Sequence, residues 1–139
     1  MIVIAMEEER RLVDSDEPVL VTGVGALNVY QALKDIPRDT FIHNYGYVGS
    51  NKIPIGTTVR IGKVELYHPK TQYEEHGFML DGNTPCFTSC DFVTETEIVE
   101  DCVFDMELAF ILGMGFKNVT AIKVVSDNLS KEEYDSHIS

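Results

Sequence analysis

The sequence has little positive charge. Its 139 residues include 11 lysines and arginines against 23 aspartates and glutamates, which gives a formal net charge of -12 at pH 7. Such an excess of negative charge repels the phosphate backbone of nucleic acids and the head groups of anionic lipids. We therefore expect neither a nucleic-acid-binding protein nor one that binds a membrane surface.

Long apolar runs and dense cysteines are missing as well. No stretch is long enough to span a membrane, and the first residues do not show the pattern of a secretion signal. The three cysteines are sparse and the four histidines are scattered. An odd number of sparse cysteines predicts reduced thiols in a cytoplasmic protein, and the lack of clustered ligands predicts that no metal is bound.

In other respects the composition is that of an ordinary globular protein. Hydrophobic residues make up 44% of the chain and charged residues 24%. A chain of this length can bury a core of its own. We therefore expect residues 1–139 to form a single domain.

Two apolar stretches that are typical of buried strands end abruptly in acidic residues. Residues 1–6 are followed by three glutamates, the last of which is Glu9, and residues 120–125 are followed by Ser126 and Asp127. Continuous apolar strands favour a parallel sheet, in which ligands bind outside the carboxyl ends of the strands. Two structural alternatives remain open: the glutamates form the first turn of a helix, and Asp127 caps the helix that follows it.

Further strand and helix patterns alternate along the chain. Apolar, β-branched segments predict additional strands at residues 18–22, 40–44, 86–92 and 102–104, and one or two strands at 55–66 with a turn at Gly62-Lys63. Helices are predicted from the middle of the twenties to about residue 36, over residues 107–112, and from residue 131 onward, with one helical turn within residues 93–101. This order predicts a three-layer α/β/α domain with a mixed, mostly parallel sheet.

A glycine-containing turn, Gly23-Val24-Gly25, precedes the first long helix. Here backbone N–H groups can approach an anion or a hydroxyl-rich ligand, although the third glycine of a dinucleotide-binding fingerprint is missing. A tight turn without a ligand is the alternative. Along the helix, one apolar face is predicted from Leu27, Tyr30, Leu33 and Ile36.

Two loops are predicted near the carboxyl ends of strands. Residues 45–50 are rich in small residues and open out after the strand that ends at Asn44. Residues 67–85 combine turn residues and charges without a clear period, which indicates a long surface loop that could cover a site.

Five short motifs occur along the chain in an order that resembles the nucleoside phosphorylase superfamily. They are Ala-Met-Glu-Glu-Glu at 5–9, Gly-Val-Gly-Ala-Leu-Asn at 23–28, Asn-Tyr-Gly-Tyr-Val-Gly at 44–49, Asp-Met-Glu at 105–107 and Val-Ser-Asp at 125–127. Within that superfamily the sequence resembles the branch of 5′-methylthioadenosine/S-adenosylhomocysteine nucleosidases. The resemblance extends over nearly the whole chain.

The resemblance implies two catalytic residues. Asp127 resembles the acid that protonates purine N7, and Glu9 resembles the glutamate that activates the attacking water. Glu107 and Met106 resemble the pair that holds the ribose. The other residues that it implies for substrate binding are Phe92 against the base, and Gly25, Tyr47 and Gly49 around the water or phosphate position.

These roles are chemically reasonable even without the resemblance to the family. An N-glycosidic bond breaks through a transition state with oxocarbenium character, as in the hydrolysis of O-glycosides. The leaving base needs an acid, the water needs a base, and a carboxylate near the ribose stabilises positive charge on the sugar. Asp127, Glu9 and Glu107 supply these three groups.

The chain also departs from the family pattern. It is shorter than expected, and Tyr47 and Val48 replace small residues, so that Tyr47 could narrow or fill the pocket of the nucleophile. No arginine lies within residues 44–50, where phosphorylases usually hold phosphate, and this favours hydrolysis.

Three functions remain open at this point. The first is hydrolysis of an adenine-type nucleoside without metal or organic cofactor. The second is a phosphorylase that uses inorganic phosphate. The third is a catalytically impaired module that binds a nucleoside. The shortened chain also predicts exposed apolar surface and hence a homodimer, with the loop at residues 67–85 as the segment that reaches the partner's pocket.

Overall fold

The structure, a computed structural model, describes residues 1–67 and 77–138. Eight strands lie in these ranges: β1 (Ile2–Ile4), β2 (Val19–Val21), β3 (Ile42–Ser50), β4 (Thr58–Leu66), β5 (Phe78–Met79), β6 (Thr84–Thr88), β7 (Val103–Asp105) and β8 (Val119–Asp127). The helices are α1 (Ala26–Leu33), α2 (Leu108–Gly113), α3 (Lys131–Ile138) and one 3-10 helix, Glu7–Leu12. No helix in the described ranges is both long enough and apolar enough to cross a membrane.

Five of the strands form a closed ring. β3 pairs with β8, β8 with β4, β4 with β6, β6 with β7, and β7 pairs back with β3. β1 and β2 extend the sheet beside the first half of β3, and β5 extends it beside β4. The predicted mixed sheet with helices is therefore confirmed. The predicted three-layer arrangement is not confirmed, because the sheet closes on itself in a barrel-like ring.

The pairing of β3 with β8 explains where the polar groups of the sheet collect. The two strands run parallel from Ile42 beside Val119 to Gly49 beside Asp127, with a shift in register after Val48. Buried and partly buried residues alternate along both strands until the last three residues of each, which are all buried. The carboxyl ends of the two strands therefore enclose polar residues that water does not reach.

The predicted loop at residues 45–50 is wrong. These residues continue β3 to Ser50, since their backbone pairs with β8 along its length and with β7 at Gly49 and Ser50. The glycines that suggested a loop instead make room for side chains. A Cβ atom on Gly46 would lie 2.8 Å from Glu9 Oε2, and one on Gly49 would lie 2.8 Å from Asp127 Oδ2.

The predicted apolar face of the first helix is also wrong in part. Val29 and Leu33 are the buried residues of α1, whereas Leu27 is 72% exposed and Tyr30 is 53% exposed. An i, i+4 pair lies on one face of a helix, and here that pair packs against the core while Leu27 and Tyr30 project outward. The helix ends at Leu33, before Ile36.

Residues 67–85 are only partly a loop. Residues 68–76 of this prediction lie outside the described residues. Within the rest, β5 pairs with β4 in antiparallel fashion and β6 begins at Thr84. The helical turn predicted within residues 93–101 is wrong, because this segment is irregular.

Candidate active site

Three acidic side chains that are far apart in the sequence line one cavity at the carboxyl ends of the strands. Glu9 lies in the 3-10 helix after β1, Glu107 follows β7, and Asp127 ends β8. The cavity has a volume of about 70 Å³, and a second cavity of about 30 Å³ adjoins it next to Asp127. The larger one is lined by Ala5, Met6, Glu9, Val24, Tyr47, Val48, Gly49, Phe92, Phe104, Asp105, Met106, Glu107, Asp127 and Tyr134.

Glu9 is held in one orientation by the backbone. Its Oε1 atom accepts hydrogen bonds from the N–H groups of Ala5 at 2.8 Å and Met6 at 3.2 Å, and its Oε2 atom accepts one from Tyr47 at 2.8 Å. Burial raises the pKa of the Glu9 carboxyl, while Lys123 and these N–H groups partly oppose the rise. The neighbouring Glu8 is exposed, so Glu9 is the residue of the Glu7–Glu9 run that faces this cavity.

Glu107 lies directly before the first residue of α2. Its Oε2 atom accepts a hydrogen bond of 2.8 Å from the N–H of Gly25, whose positive φ of 89° suits glycine. Burial, followed by the charge of Asp105, raises the pKa of the Glu107 carboxyl to about 7. Gly25 thus supports Glu107 through its backbone, and among the described residues it is Val24 of this turn that lines the cavity.

Asp127 is completely buried. Its Oδ1 atom accepts a hydrogen bond of 2.9 Å from the hydroxyl of Ser126, and its Oδ2 atom accepts one of 2.9 Å from the N–H of Leu129. Burial raises the pKa of the Asp127 carboxyl, which favours the protonated form. Ser130 accepts the N–H of Glu133 and so caps α3, a position that the sequence had left open for Asp127.

The side chains of Phe92 and Tyr134 cover the cavity. Their rings make an edge-to-face contact with centroids 5.4 Å apart, and Lys131 Nζ lies 5.4 Å from the centroid of Phe92 and 5.3 Å from that of Tyr134. The Tyr134 hydroxyl donates to Met6 Sδ at 3.5 Å. The sequence indicated Phe92 but not Tyr134, although Tyr134 is the only aromatic residue within α3.

The remaining predicted residues lie in the cavity wall. Met106, Tyr47 and Gly49 all line it, and Tyr47 does not fill it. The guanidinium of Arg11 lies 5.6 Å from the centroid of the Tyr47 ring. The structure therefore brings together all of the predicted site residues, with Gly25 one layer behind Glu107. Their individual roles stay predictions.

The sequence analysis did not identify Lys123, a buried lysine that lies near the acidic residues of the cavity. Lys123 of β8 is 2% exposed, and its Nζ atom lies 2.5 Å from Asn44 Oδ1 and 3.7 Å from Asp105 Oδ2. A buried charge needs such partners to offset its loss of hydration. The signal in the sequence was a lone lysine inside the apolar strand, at a position where the alternation of β8 requires a buried residue.

The elevated pKa of Glu107 leads to a prediction about stability. We expect Glu107→Gln to stabilise the protein at pH 8 and to have little effect at pH 5. The carboxyl has a pKa of about 7 in the folded protein against an ordinary value of 4.5, so it binds its proton more tightly in the folded state. Its contribution favours folding at low pH and is lost as the pH rises through about 7, by on the order of 3 kcal/mol.

Urea denaturation of the wild type and of Glu107→Gln at both pH values measures this effect. Glutamine can still accept the Gly25 N–H, which limits structural damage. Glu97→Gln, at an exposed position, is the matched control. A loss of stability in Glu107→Gln that is equal at pH 5 and pH 8 would contradict the prediction.

The fold of this chain is similar to that of several solved structures. No protein-family model and no curated protein matches the sequence. Solved structures do match. One is a 5′-methylthioadenosine/S-adenosylhomocysteine (MTA/SAH) nucleosidase, abbreviated MTAN, from Chlamydia trachomatis bound to MTA. It has a TM-score of 0.79 and 19% identity, covering 97% of this chain and 86% of that chain. An S-adenosylhomocysteine nucleosidase from Streptococcus pyogenes has a TM-score of 0.76 and 17% identity, covering 99% of this chain and 88% of that chain.

A third solved structure has a similar fold. An MTA/SAH nucleosidase from Colwellia psychrerythraea in complex with adenine has a TM-score of 0.76 and 17% identity, covering 99% of this chain and 86% of that chain. The chain thus has an α/β fold with acidic residues at the carboxyl ends of its strands. More particularly, it has the fold of the MTA/SAH nucleosidases, and the resemblance read from its motifs is confirmed at the level of the fold.

Proposed function

We propose that this protein is a purine nucleosidase, which hydrolyses the N-glycosidic bond of an adenine-type nucleoside such as methylthioadenosine or S-adenosylhomocysteine. The observation that carries the proposal is the convergence of Glu9, Glu107 and Asp127 around one cavity. The fold likeness supports it, because structures of this fold hold MTA or adenine. Residues 1–139 act as one domain in this proposal.

Each carboxyl group is suited to one step. Burial favours the protonated form of Asp127, which donates its proton to purine N7 so that the base leaves as a neutral group. Glu9 is oriented by three N–H groups and takes a proton from the attacking water on the other side of the sugar. Glu107 accepts hydrogen bonds from the ribose hydroxyls, and its negative charge stabilises the oxocarbenium-like transition state.

The substrate-binding residues complete the arrangement. Phe92 packs on the base next to Asp127, and Met106 lies against the sugar beside Glu107. Tyr47 and Gly49 border the position of the water. The cavity is smaller than the roughly 300 Å³ at the low end for small-molecule pockets, so the Phe92–Tyr134 contact opens when a nucleoside binds.

The charges around the cavity favour water over phosphate as the nucleophile. Among the described residues, no lysine or arginine lines the cavity, and Lys123 below it is engaged by Asn44 and Asp105. A phosphate dianion would meet the carboxylates of Glu9 and Glu107 without a cation to offset the repulsion. A phosphorylase is therefore the less favoured alternative. The small volume of the cavity is the one observation that favours a nucleoside-binding module without turnover.

The test is incubation with a panel of purine nucleosides, with and without inorganic phosphate, and detection of the free base. We expect release of adenine from methylthioadenosine or S-adenosylhomocysteine in the absence of phosphate. Release that requires phosphate would identify a phosphorylase. Tight binding without release, measured by calorimetry, would identify a binding module, and neither binding nor release would end the proposal.

We also propose that the protein acts as a homodimer in the cytoplasm. The three cysteines are all free, which suits a reducing compartment. An apolar groove of about 640 Å³ lies between α1 and α2, and Leu27 and Tyr30 project beside it. A second copy of the chain would cover this surface. Residues 68–76, which belong to the loop predicted to reach the partner's pocket, lie outside the described residues.

The proposed homodimer can be tested by measuring the mass of the protein in solution. We expect sedimentation at micromolar concentration to give twice the chain mass, and Leu27→Glu to shift the protein to a monomer, because a carboxylate would be buried at the interface. Val99→Glu is the matched control, since Val99 is 76% exposed and does not line this groove. A wild-type monomer, or a dimer that survives Leu27→Glu, would count against this face.

A further inference from the structure

Asp105 is a buried carboxylate to which the proposed chemistry gives no role. Its side chain is 1% exposed, although it borders the cavity. The Oδ1 atom accepts hydrogen bonds from the hydroxyl of Thr88 at 2.5 Å and from the thiol of Cys86 at 3.4 Å. These two donors belong to β6, so they tie the end of β7 to the neighbouring strand.

The other oxygen of Asp105 faces the turn that carries Glu107. Its Oδ2 atom accepts the N–H of Leu108 at 2.8 Å and that of Glu107 at 3.3 Å, and Lys123 Nζ lies 3.7 Å away. Thr88 also accepts the N–H of Ala109 at 3.0 Å. Asp105 and Thr88 together therefore occupy the free N–H groups at the start of α2, directly behind the site.

We infer that Asp105 is a positioning residue, which fixes the turn that presents Glu107 to the sugar and places a second buried carboxylate beside it. The inference rests on the proposed function for its catalytic meaning. Its structural part concerns only Asp105 and Glu107. A change in Asp105 should therefore alter Glu107 even in the absence of any substrate.

The electrostatic part involves several groups of the described residues, since Asp127 and Tyr134 line the same cavity as Glu107 and others act on it more strongly. Burial is the largest influence on the Glu107 carboxyl, and the carboxylates of Asp105 and Glu9 act in the same direction and raise its pKa. The Gly25 N–H and the ammonium of Lys123 act in the opposite direction. Of the two raising carboxylates, Asp105 has the larger influence, so removing its charge should make Glu107 ionise at lower pH.

Two substitutions of Asp105 distinguish the effect of its charge from the effect of its size. Asp105→Asn removes the charge but keeps the size, and its amide can donate to Thr88 Oγ1 while its oxygen still accepts the Leu108 N–H. Asp105→Glu keeps the charge but lengthens the side chain by one methylene, which displaces the turn. Thermal denaturation checks that both variants are folded.

The first measurement is the titration of the Glu107 carboxyl by NMR of protein with ¹³C-labelled glutamate, the signal being the one that is absent from Glu107→Gln. In Asp105→Asn we expect this signal to titrate at lower pH than in the wild type. In Asp105→Glu we expect no such shift. An unchanged titration in a folded Asp105→Asn variant overturns the inference, as does an equal shift in both variants. If Asp105→Asn does not fold, a downward shift in Asp105→Glu overturns it.

The second measurement is the pH dependence of kcat/KM with methylthioadenosine. Because the ionised form of Glu107 is the active one, the acid limb should move to lower pH in Asp105→Asn. The ratio of kcat/KM at pH 6 to that at pH 8 should therefore rise severalfold in Asp105→Asn. Asp105→Glu should keep the limb and lose about ten- to a hundredfold in kcat from the displaced turn.

The two measurements distinguish failure of the inference from failure of the proposed function. If no nucleoside is cleaved but the NMR titration shifts in Asp105→Asn alone, the proposed function is wrong and the link from Asp105 to Glu107 holds. If nucleosides are cleaved and the Glu107 signal does not shift, the function holds and Asp105 is only a structural residue.

Discussion

Asp127→Asn is expected to lower kcat by about 10²- to 10⁴-fold, the usual contribution of a general acid. The asparagine amide cannot release a proton to purine N7, so the base would have to leave as an anion. Binding should be largely retained, because the variant keeps the size and the polarity of the side chain. The expected result is a large fall in kcat with a small change in Kd.

The surroundings of Asp127 make this substitution a clean test. The asparagine oxygen can accept the N–H of Leu129, as Asp127 Oδ2 does now. The amide nitrogen can donate to Ser126 Oγ, whose own hydrogen can turn to the carbonyl of Val48, 3.4 Å away. The hydrogen bonds to Ser126 and Leu129 are thus kept in the variant, so the folded state should survive.

Single-turnover release of adenine, with Kd measured by calorimetry, checks the prediction. Asp101→Asn, at an exposed position, is the matched control and should behave as the wild type. Turnover that is unchanged in Asp127→Asn would remove Asp127 as the acid.

Glu9→Gln is expected to lower kcat by a comparable factor, about 10²- to 10⁴-fold, because the amide cannot accept a proton from water. This substitution also disturbs the fold. Both oxygens of Glu9 accept backbone N–H groups, so the amide nitrogen must face at least one N–H, either that of Tyr47 or those of Ala5 and Met6. An unsatisfied buried donor costs about 1–3 kcal/mol.

Stability and activity must therefore be measured together in Glu9→Gln. We expect a lower denaturation midpoint and, under conditions in which the variant is fully folded, still a large loss of kcat. Glu8→Gln is a close control, since Glu8 is the exposed neighbour in the same 3-10 helix. A folded Glu9→Gln variant with normal kcat would show that Glu9 caps the 3-10 helix and does nothing more.

Much of the site could be predicted from the sequence because its residues follow strands. An apolar β-branched run that ends in an acidic residue places that residue at the edge of a sheet, whichever strands lie beside it. Asp127 and the acidic run at 7–9 were found in this way, and the motif order singled out Glu9 and added Glu107, Met106 and Phe92. The glycines at 46 and 49 were wrongly interpreted as part of a loop. They lie in a strand, where the lack of a side chain leaves room for the carboxylates of Glu9 and Asp127.

Other parts could not be predicted, because they depend on contacts between segments far apart in the chain. Tyr134 covers the cavity only because α3 folds back over Phe92. Val29 rather than Tyr30 faces inward on α1 because of where α2 lies, and both choices agree with helical periodicity.

The amino-acid sequence was sufficient to predict that acidic residues follow apolar strands at 7–9 and at Asp127, and that the sheet is mixed with helices beside it. Local polarity and periodicity are sufficient for that. The closure of the sheet into a ring, and the contacts of Lys123 with Asp105 and Asn44, became visible only in the folded protein. The physical reason is that a buried charge is tolerated only where partners from other strands reach it, and those partners are set by strand pairing across the whole chain.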